Sequence, residues 1–378
     1  MKVIVAFDSF KGCMSASDAC QAARQGLLRA CPDAEVICLP MSDGGEGMVS
    51  CIAQSVNATL VSVAVHDPLM RPINAVYALS SDGKTAYMEM AAASGLTLLS
   101  PAERNPILTT TYGVGEMIFD AVCRGCTDIV MGIGGSATCD GGEGMIEFLR
   151  PHLPLPVRIT VACDVSNPLF GPNGAAYVFA PQKGASPSDV IVLDRRLRDF
   201  AARTETLLAQ SSVPSFHSSS APSFHSSSPH PSELSSYPGA GAAGGLGYGL
   251  MAYLNATLTS GIDLMLDTIH FDSHITGAHP SSRLPNQCAD LIITGEGSSD
   301  RQTLMGKVPF GILQRASRHH IPVALLSGAI ADSPLLLSAG FSIIKSINEH
   351  DDRPLSVLMQ KSTAMHNLSN TCKEIAPK

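Results

Sequence analysis

The chain has 378 residues, with 45% hydrophobic side chains, 15% charged side chains, 33 glycines and a formal net charge of −8 at pH 7. That length implies two domains of moderate size, and the composition excludes fibrous and disordered classes. An acidic chain without a Lys/Arg cluster lacks the basic face a nucleic-acid partner needs, and no run approaches the roughly 20 apolar residues of a membrane span, so a cytoplasmic protein is expected.

In chain order, Val3 to Phe7 is an apolar run of strand length closed by Asp8-Ser9-Phe10-Lys11. This puts a carboxylate, a hydroxyl and an ammonium at a strand end, where open parallel sheets bind ligands. Ser15 then caps a helix whose apolar stripe runs through Ala19, Ala22, Ala23, Leu27 and Leu28. A strand from Glu35 to Pro40 leads into Ser42-Asp43-Gly44-Gly45-Glu46-Gly47. Carboxylates in such a glycine frame can accept a hydroxyl proton or coordinate Mg²⁺, although an Asp helix cap beside a glycine turn explains the same letters. Arg71, in Asp67-Pro-Leu-Met-Arg71-Pro, is a candidate clamp for a carboxylate, and Glu89 follows a short apolar stretch.

A helix is predicted from Gly115 to Arg124, then a strand from Asp128 to Ile133 running into Gly134-Gly135-Ser136-Ala137-Thr138-Cys139-Asp140. Glycines let backbone N–H groups approach an anion, hydroxyls donate to phosphate oxygens, and Asp140 could hold Mg²⁺. This is a phosphate-handling turn that matches neither the P-loop nor the dinucleotide fingerprint. A strand from Arg158 to Cys163 presents Asp164, a second candidate for the metal, and Asn167.

Residues 211–236 repeat Pro-Ser-Phe-His-Ser-Ser-Ser, a composition with little to bury, and read as a disordered surface insertion dispensable for catalysis. A last group of elements comprises a strand from Asp290 to Thr294, the turn carrying Glu296, Asp300, Arg301 and Lys307, a helix from Phe310 to His319, and a strand from Pro322 to Ser327. Lys307 could meet the charge of a transferring phosphoryl group. Strands alternating with helices predict an α/β fold with parallel sheets flanked by helices. The 11 cysteines lack regular spacing and the histidines have no partners at useful spacing, so inert thiols in a reducing compartment and no catalytic His are expected.

With these motifs in hand, the sequence resembles the type 1 family of bacterial glycerate kinases. The resemblance is carried by Ala6–Lys11, Pro40–Gly47, Glu89–Gly95, Asn105–Gly115, Gly132–Gly144, Cys163–Lys183, Gly239–Gly247 and Ile293–Lys307. It implies ATP-dependent phosphorylation of D-glycerate with Mg²⁺, giving 2-phosphoglycerate in preference to 3-phosphoglycerate. It also implies two α/β domains with the active site in the cleft between them: a discontinuous flavodoxin-like domain of residues 1–82 with 286–378, and an inserted domain of 83–285. On this reading Asp43 or Asp300 handles the hydroxyl proton. Lys11, Lys307 and Arg71 meet anionic groups; Asp8, Ser9, Glu89, Gly134, Gly135, Ser136, Thr138, Asp140, Asn167, Glu296 and Arg301 bind substrate or nucleotide; Asp140 and Asp164 hold the metal. Two departures stand out, Cys139 in place of the family's usual Asn and Ser298-Ser299 in place of an Arg-Ile-like pair. They keep open a kinase for another small hydroxy or sugar acid, or an inactive glycerate or nucleotide sensor.

Overall fold

The computed structural model describes residues 1–45, 47–210, 231–280 and 287–376. Its strands in chain order are β1 (Lys2–Phe7), β2 (Glu35–Cys38), β3 (Thr59–His66), β4 (Pro72–Leu79), β5 (Thr85–Glu89), β6 (Asp128–Gly132), β7 (Arg158–Ala162), β8 (Thr257–Thr259), β9 (Leu291–Gly295), β10 (Ser298–Ser299), β11 (Val323–Ser327), β12 (Ala329–Ile330) and β13 (Ile343–Ser346). The chain divides into two compact units, residues 1–59 with 260–378, and residues 60–259.

The first unit holds a five-stranded sheet in the order β13-β11-β9-β1-β2, parallel throughout. Val3 to Phe7 of β1 are wholly buried, as are Ile292 and Ile293 of β9 and Ala324 to Leu326 of β11. Strands covered on both faces need apolar side chains on both, which is why they read as continuous runs rather than alternations. The helix Ala16–Ala30 starts at Ser15, whose hydroxyl accepts the Asp18 N–H at 3.1 Å while Asp18 accepts the Ser15 N–H at 3.2 Å. This reciprocal pair satisfies two N–H groups that the first turn would otherwise leave open. Gly26 lets that helix lie directly on Lys361–Ile375, since a Cβ there would overlap the Ser369 carbonyl.

The second unit is built on a six-stranded sheet in the order β3-β4-β5-β6-β7-β8. Its β5 to β8 run parallel, while β4 pairs antiparallel with β5 through Ala78↔Tyr87 and Leu79↔Ala86. The fold is thus α/β with parallel-rich sheets flanked by helices, and the antiparallel β4–β5 pair bears on where the two units meet in sequence. Residues 60–82 belong to the inserted unit because β4 is laddered into its sheet, so the border falls at 59/60 instead of 82/83. Helices Gly261–Thr268 and Phe271–Thr276 belong to the first unit, so the second border falls at 259/260 instead of 285/286. There Arg315 reaches Asp267 and Asp272, each at 2.7 Å, tying both helices to Val308–Ser317.

Of the Ser/Pro-rich stretch, 211–230 lies outside the described residues. Residues Pro231–Ser236 form a short 3-10 helix packed against its surroundings, with Leu234 buried and the Ser235 carbonyl accepting the Leu169 N–H at 2.9 Å. The disorder reading is corrected for those six residues. Among the described residues no helix is long and apolar enough to cross a membrane.

Candidate active site

Strand order in the first sheet dictates where a ligand can sit. The chain runs from β1 outward to β2, then returns to place β9 on the other side of β1. At such a reversal the connections leave the carboxyl edge in opposite directions and open a crevice. A cavity of about 420 Å³ lies there, lined by residues from the ends of β1, β9, β11 and β13 and from the turn after β2.

Six of the residues singled out in the sequence line it: Asp8, Ser9, Lys11, Asp43, Glu296 and Lys307. Asp8 leaves β1 with its N–H donated to the Gly295 carbonyl at 3.0 Å and its Oδ1 accepting the Ser9 N–H at 2.6 Å. Gly295 permits this edge to close, because a Cβ would strike the Leu326 carbonyl of β11. Burial pushes the Asp8 carboxyl up to about 7, helped by the negative charges of Asp43 and Glu296; the Ser9 N–H and Lys11 oppose the rise only in part. Glu296 is buried and held in place: Oε1 accepts from the Thr303 hydroxyl at 2.7 Å and Oε2 lies 3.3 Å from Lys307 Nζ. Ser299, at the second family departure, shares a 2.7 Å hydroxyl contact with Ser327, while Ser298 lines the cavity.

Three carboxylates facing one cavity form a site short of positive charge. Among the described residues no group of three or more His, Cys, Asp or Glu forms a ready metal cage. Mg²⁺ asks for less, being held by one or two carboxylates together with substrate phosphates and waters. The hard oxygens of Asp8 and Glu296 fit that requirement.

Asp300 and Arg301 do not line this cavity. The Asp300 side chain accepts the Gln302 N–H at 2.7 Å and its N–H goes to the Thr303 hydroxyl at 3.0 Å, so it caps the short turn Arg301–Leu304; Arg301 is exposed. In this arrangement the Asp300 carboxylate serves as the cap of that turn.

The remaining residues belong to the second unit. Asp140 is consumed by the fold: Oδ2 accepts from the Thr111 N–H and hydroxyl, both at 2.8 Å, and from the Gly144 N–H at 3.3 Å, while Oδ1 accepts the Gly142 N–H at 3.2 Å. Four donors occupy the acceptor positions of this carboxylate, which fastens the turn after β6 to the start of the helix Tyr112–Cys123. Asp164 is exposed after β7, and Asn167 bridges its own loop by donating to the Asn173 carbonyl at 2.8 Å. Arg71 is not an open clamp, since its guanidinium already binds Asp67 and Glu103, each at 2.6 Å. Glu89 is half-buried at the end of β5, beside Gly132 of β6. Gly134 and Gly135 form the turn after β6, Gly135 with φ of +73°. Cys139 is buried against Leu169 and Leu197, so the first family departure fills the core rather than facing a ligand.

The turn also rests on a residue the sequence reading passed over. Lys183 is 3% exposed and donates to the Ser136 hydroxyl at 2.6 Å and the Thr138 carbonyl at 2.8 Å. Burial pulls its ammonium down to about 8, against the pull of nearby Cys139 and Asp140. Between pH 8 and 10.5 the unfolded chain binds this proton and the folded chain does not, so the contribution to stability rises with pH across that window. Urea unfolding should show the wild type gaining on Lys183→Met by roughly 2–3 kcal/mol from pH 8 to 10.5; a constant difference would mean the ammonium is not desolvated. In the sequence Lys183 has beside it only Gln182 and Gly184, with no run of glycines or acidic residues, so spacing offered little to find it by.

The model of the glycerate kinase family matches residues 3–154 and 150–377. The chain is 38% identical to a glycerate kinase of Bacillus subtilis (strain 168) over 377 residues, covering 92% of this chain and 90% of that one. It is 37% identical to the glycerate 2-kinase of Escherichia coli (strain K12) over 386 residues, covering 93% of each. The fold matches the crystal structure of a protein provisionally named glycerate kinase 2 from Salmonella typhimurium LT2, with a TM-score of 0.80, 34% identity, and coverage of 99% of this chain and 97% of that one.

Proposed function

Because the chain belongs to the glycerate kinase family and is a phosphotransferase, we propose that it transfers the γ-phosphoryl group of ATP to the 2-hydroxyl of D-glycerate. The observation that carries this reading is the convergence of Asp8, Asp43, Glu296, Lys11 and Lys307 on one cavity at the switch point of the first sheet. The regiochemistry is drawn from the name of the Escherichia coli relative, a glycerate 2-kinase.

In phosphoryl transfer the protein's main tasks are positioning and charge neutralisation. The glycerate hydroxyl oxygen attacks the γ-phosphorus, the bond from that phosphorus to the β,γ-bridging oxygen breaks, and the hydroxyl proton passes to Asp43. Asp43 suits the task because its only side-chain hydrogen bond among the described residues is a long one, 3.3 Å from the Gly45 N–H. Lys307, steadied by Glu296, and Lys11 supply positive charge to the phosphate oxygens. Mg²⁺, when bound, would be held by Asp8 and Glu296 and would neutralise charge on the phosphates. Ser9 offers a hydroxyl donor at the same edge.

An ADP-release assay with Mg²⁺ and ATP tests the proposal, using D-glycerate against L-glycerate and glycerol, with the product's phosphate located by ³¹P NMR. Selective turnover of D-glycerate to the 2-phosphate is expected. Turnover of a different hydroxy acid, or ATP binding without ADP release, would overturn it.

A further inference from the structure

The cavity is lined by two chemically different sets of side chains, the charged groups assigned to phosphotransfer and a second set that is apolar. Phe10 and Cys13 from the turn after β1 face Ile347, Leu355, Leu358 and Met359 from the chain beyond β13. Leu355 is 69% exposed and Met359 42% exposed, a large apolar area left open to water at the mouth of a polar site. Water-exposed apolar surface that continues into a binding cavity marks a place for ligand rather than for core.

This wall is held firmly. Asp351 accepts from Arg353 Nε at 2.7 Å and from Asn367 Nδ2 at 2.8 Å, which ties the segment to the helix Lys361–Ile375. The Leu358 N–H is donated to the Pro354 carbonyl at 3.1 Å, and Met359 packs on the turn at Gly12. Asn348 is fixed alongside by donating to the Gly328 carbonyl at 2.9 Å.

Glycerate has no use for such a surface, since its three carbons carry a carboxylate and two hydroxyls. A purine ring has two broad apolar faces and, in ATP, is joined through ribose to the phosphates that Lys11 and Lys307 suit. We infer that the slot formed by Phe10, Leu355, Leu358 and Met359 is the nucleobase subsite, with the triphosphate extending toward Asp8 and Lys307. This rests on the kinase reading above for the direction of the phosphates.

Isothermal titration of the full-length protein with ADP, and separately with inorganic tripolyphosphate as a probe lacking the base, tests the inference directly. Leu355 and Met359 are exposed, so Leu355→Asp and Met359→Asp leave the core untouched, and Leu355→Ala serves as the milder control. Replacing one of these apolar walls by a carboxylate should weaken ADP binding about 10- to 100-fold while changing tripolyphosphate binding less than about twofold. Unchanged ADP affinity in both Asp variants would overturn the subsite, and so would a wild type that binds ADP no better than tripolyphosphate. Turnover separates the two readings: weakened ADP binding in a protein inactive on glycerate would keep the subsite and reject the substrate. Normal glycerate turnover with unaltered ADP affinity would do the reverse.

Discussion

Asp43→Asn should lower kcat for glycerate by about 10²- to 10⁴-fold, the usual contribution of a positioned general base, while leaving the melting temperature near that of the wild type. Among the described residues its side chain makes one long hydrogen bond and sits half-buried at the cavity, so little folding energy depends on it. The proper contrast is Asp300→Asn, which keeps a capping oxygen for the Gln302 N–H. That variant should retain most of its turnover and lose at most about 1 kcal/mol of stability, as for a weakened cap. Steady-state kinetics and thermal unfolding of the pair decide between the two carboxylates. A fully active Asp43→Asn protein would remove that residue from the proton-transfer role.

Asp8→Asn should have opposite effects on activity and stability. Turnover should fall steeply on the proposal that Asp8 holds the metal. Stability should rise, because the native carboxylate is ionised against burial and against Asp43 and Glu296. The sign follows from linkage. A carboxyl whose folded-state value is raised from 3.8 to about 7 is protonated in both states at pH below about 4 and imposes no penalty there. Between about pH 4 and 7 only the unfolded chain has lost the proton, so native stability declines through that range and the full penalty remains above it. The variant's advantage over the wild type, measured by urea unfolding in chelator, should therefore be near zero at pH 4 and reach roughly 2–4 kcal/mol at pH 8. Equal stability of the two proteins at pH 8 would mean that Asp8 is not strained by its neighbours.

The two predictions bear on how much of this molecule could be read in its letters. Strands such as β1, β9 and β11 announced themselves because burial on both faces demands uninterrupted apolar runs. Asp8 and Glu296, in the turns that follow β1 and β9, were legible for the same reason, since a known strand end fixes where its next side chains emerge, while Asp43 was marked by the glycines around it after β2. The strands β3 and β4 escaped because one face of each is open to solvent, and their period-two pattern is weaker than a solid run. The hydrogen bonds of Asp140 and Asp300 were not legible, because a carboxylate in a glycine-bearing turn looks alike whether it binds a ligand or caps its own chain. Only the approach of Thr111, or of Gln302 with Thr303, tells the two apart. Lys183, Leu355 and Met359 gave no local signal at all, for each acquires its meaning from a partner brought near by tertiary packing.

The pairing of β1 with β9 has a consequence for how the protein is made. Val3 lies against Leu291 and Ala6 against Thr294, so β1 waits for a neighbour that leaves the ribosome only after the whole inserted unit. The inserted unit, continuous in sequence, can collapse while synthesis proceeds, whereas β1 and β2 must stay unpaired on one side until β9, β11 and β13 emerge. Such long-range closure is slow and leaves a hydrophobic strand edge open in the interval. Nascent chains halted before residue 291 should therefore carry a folded insert on an unfinished sheet, with the open edge of β1 exposed to aggregation at that stage.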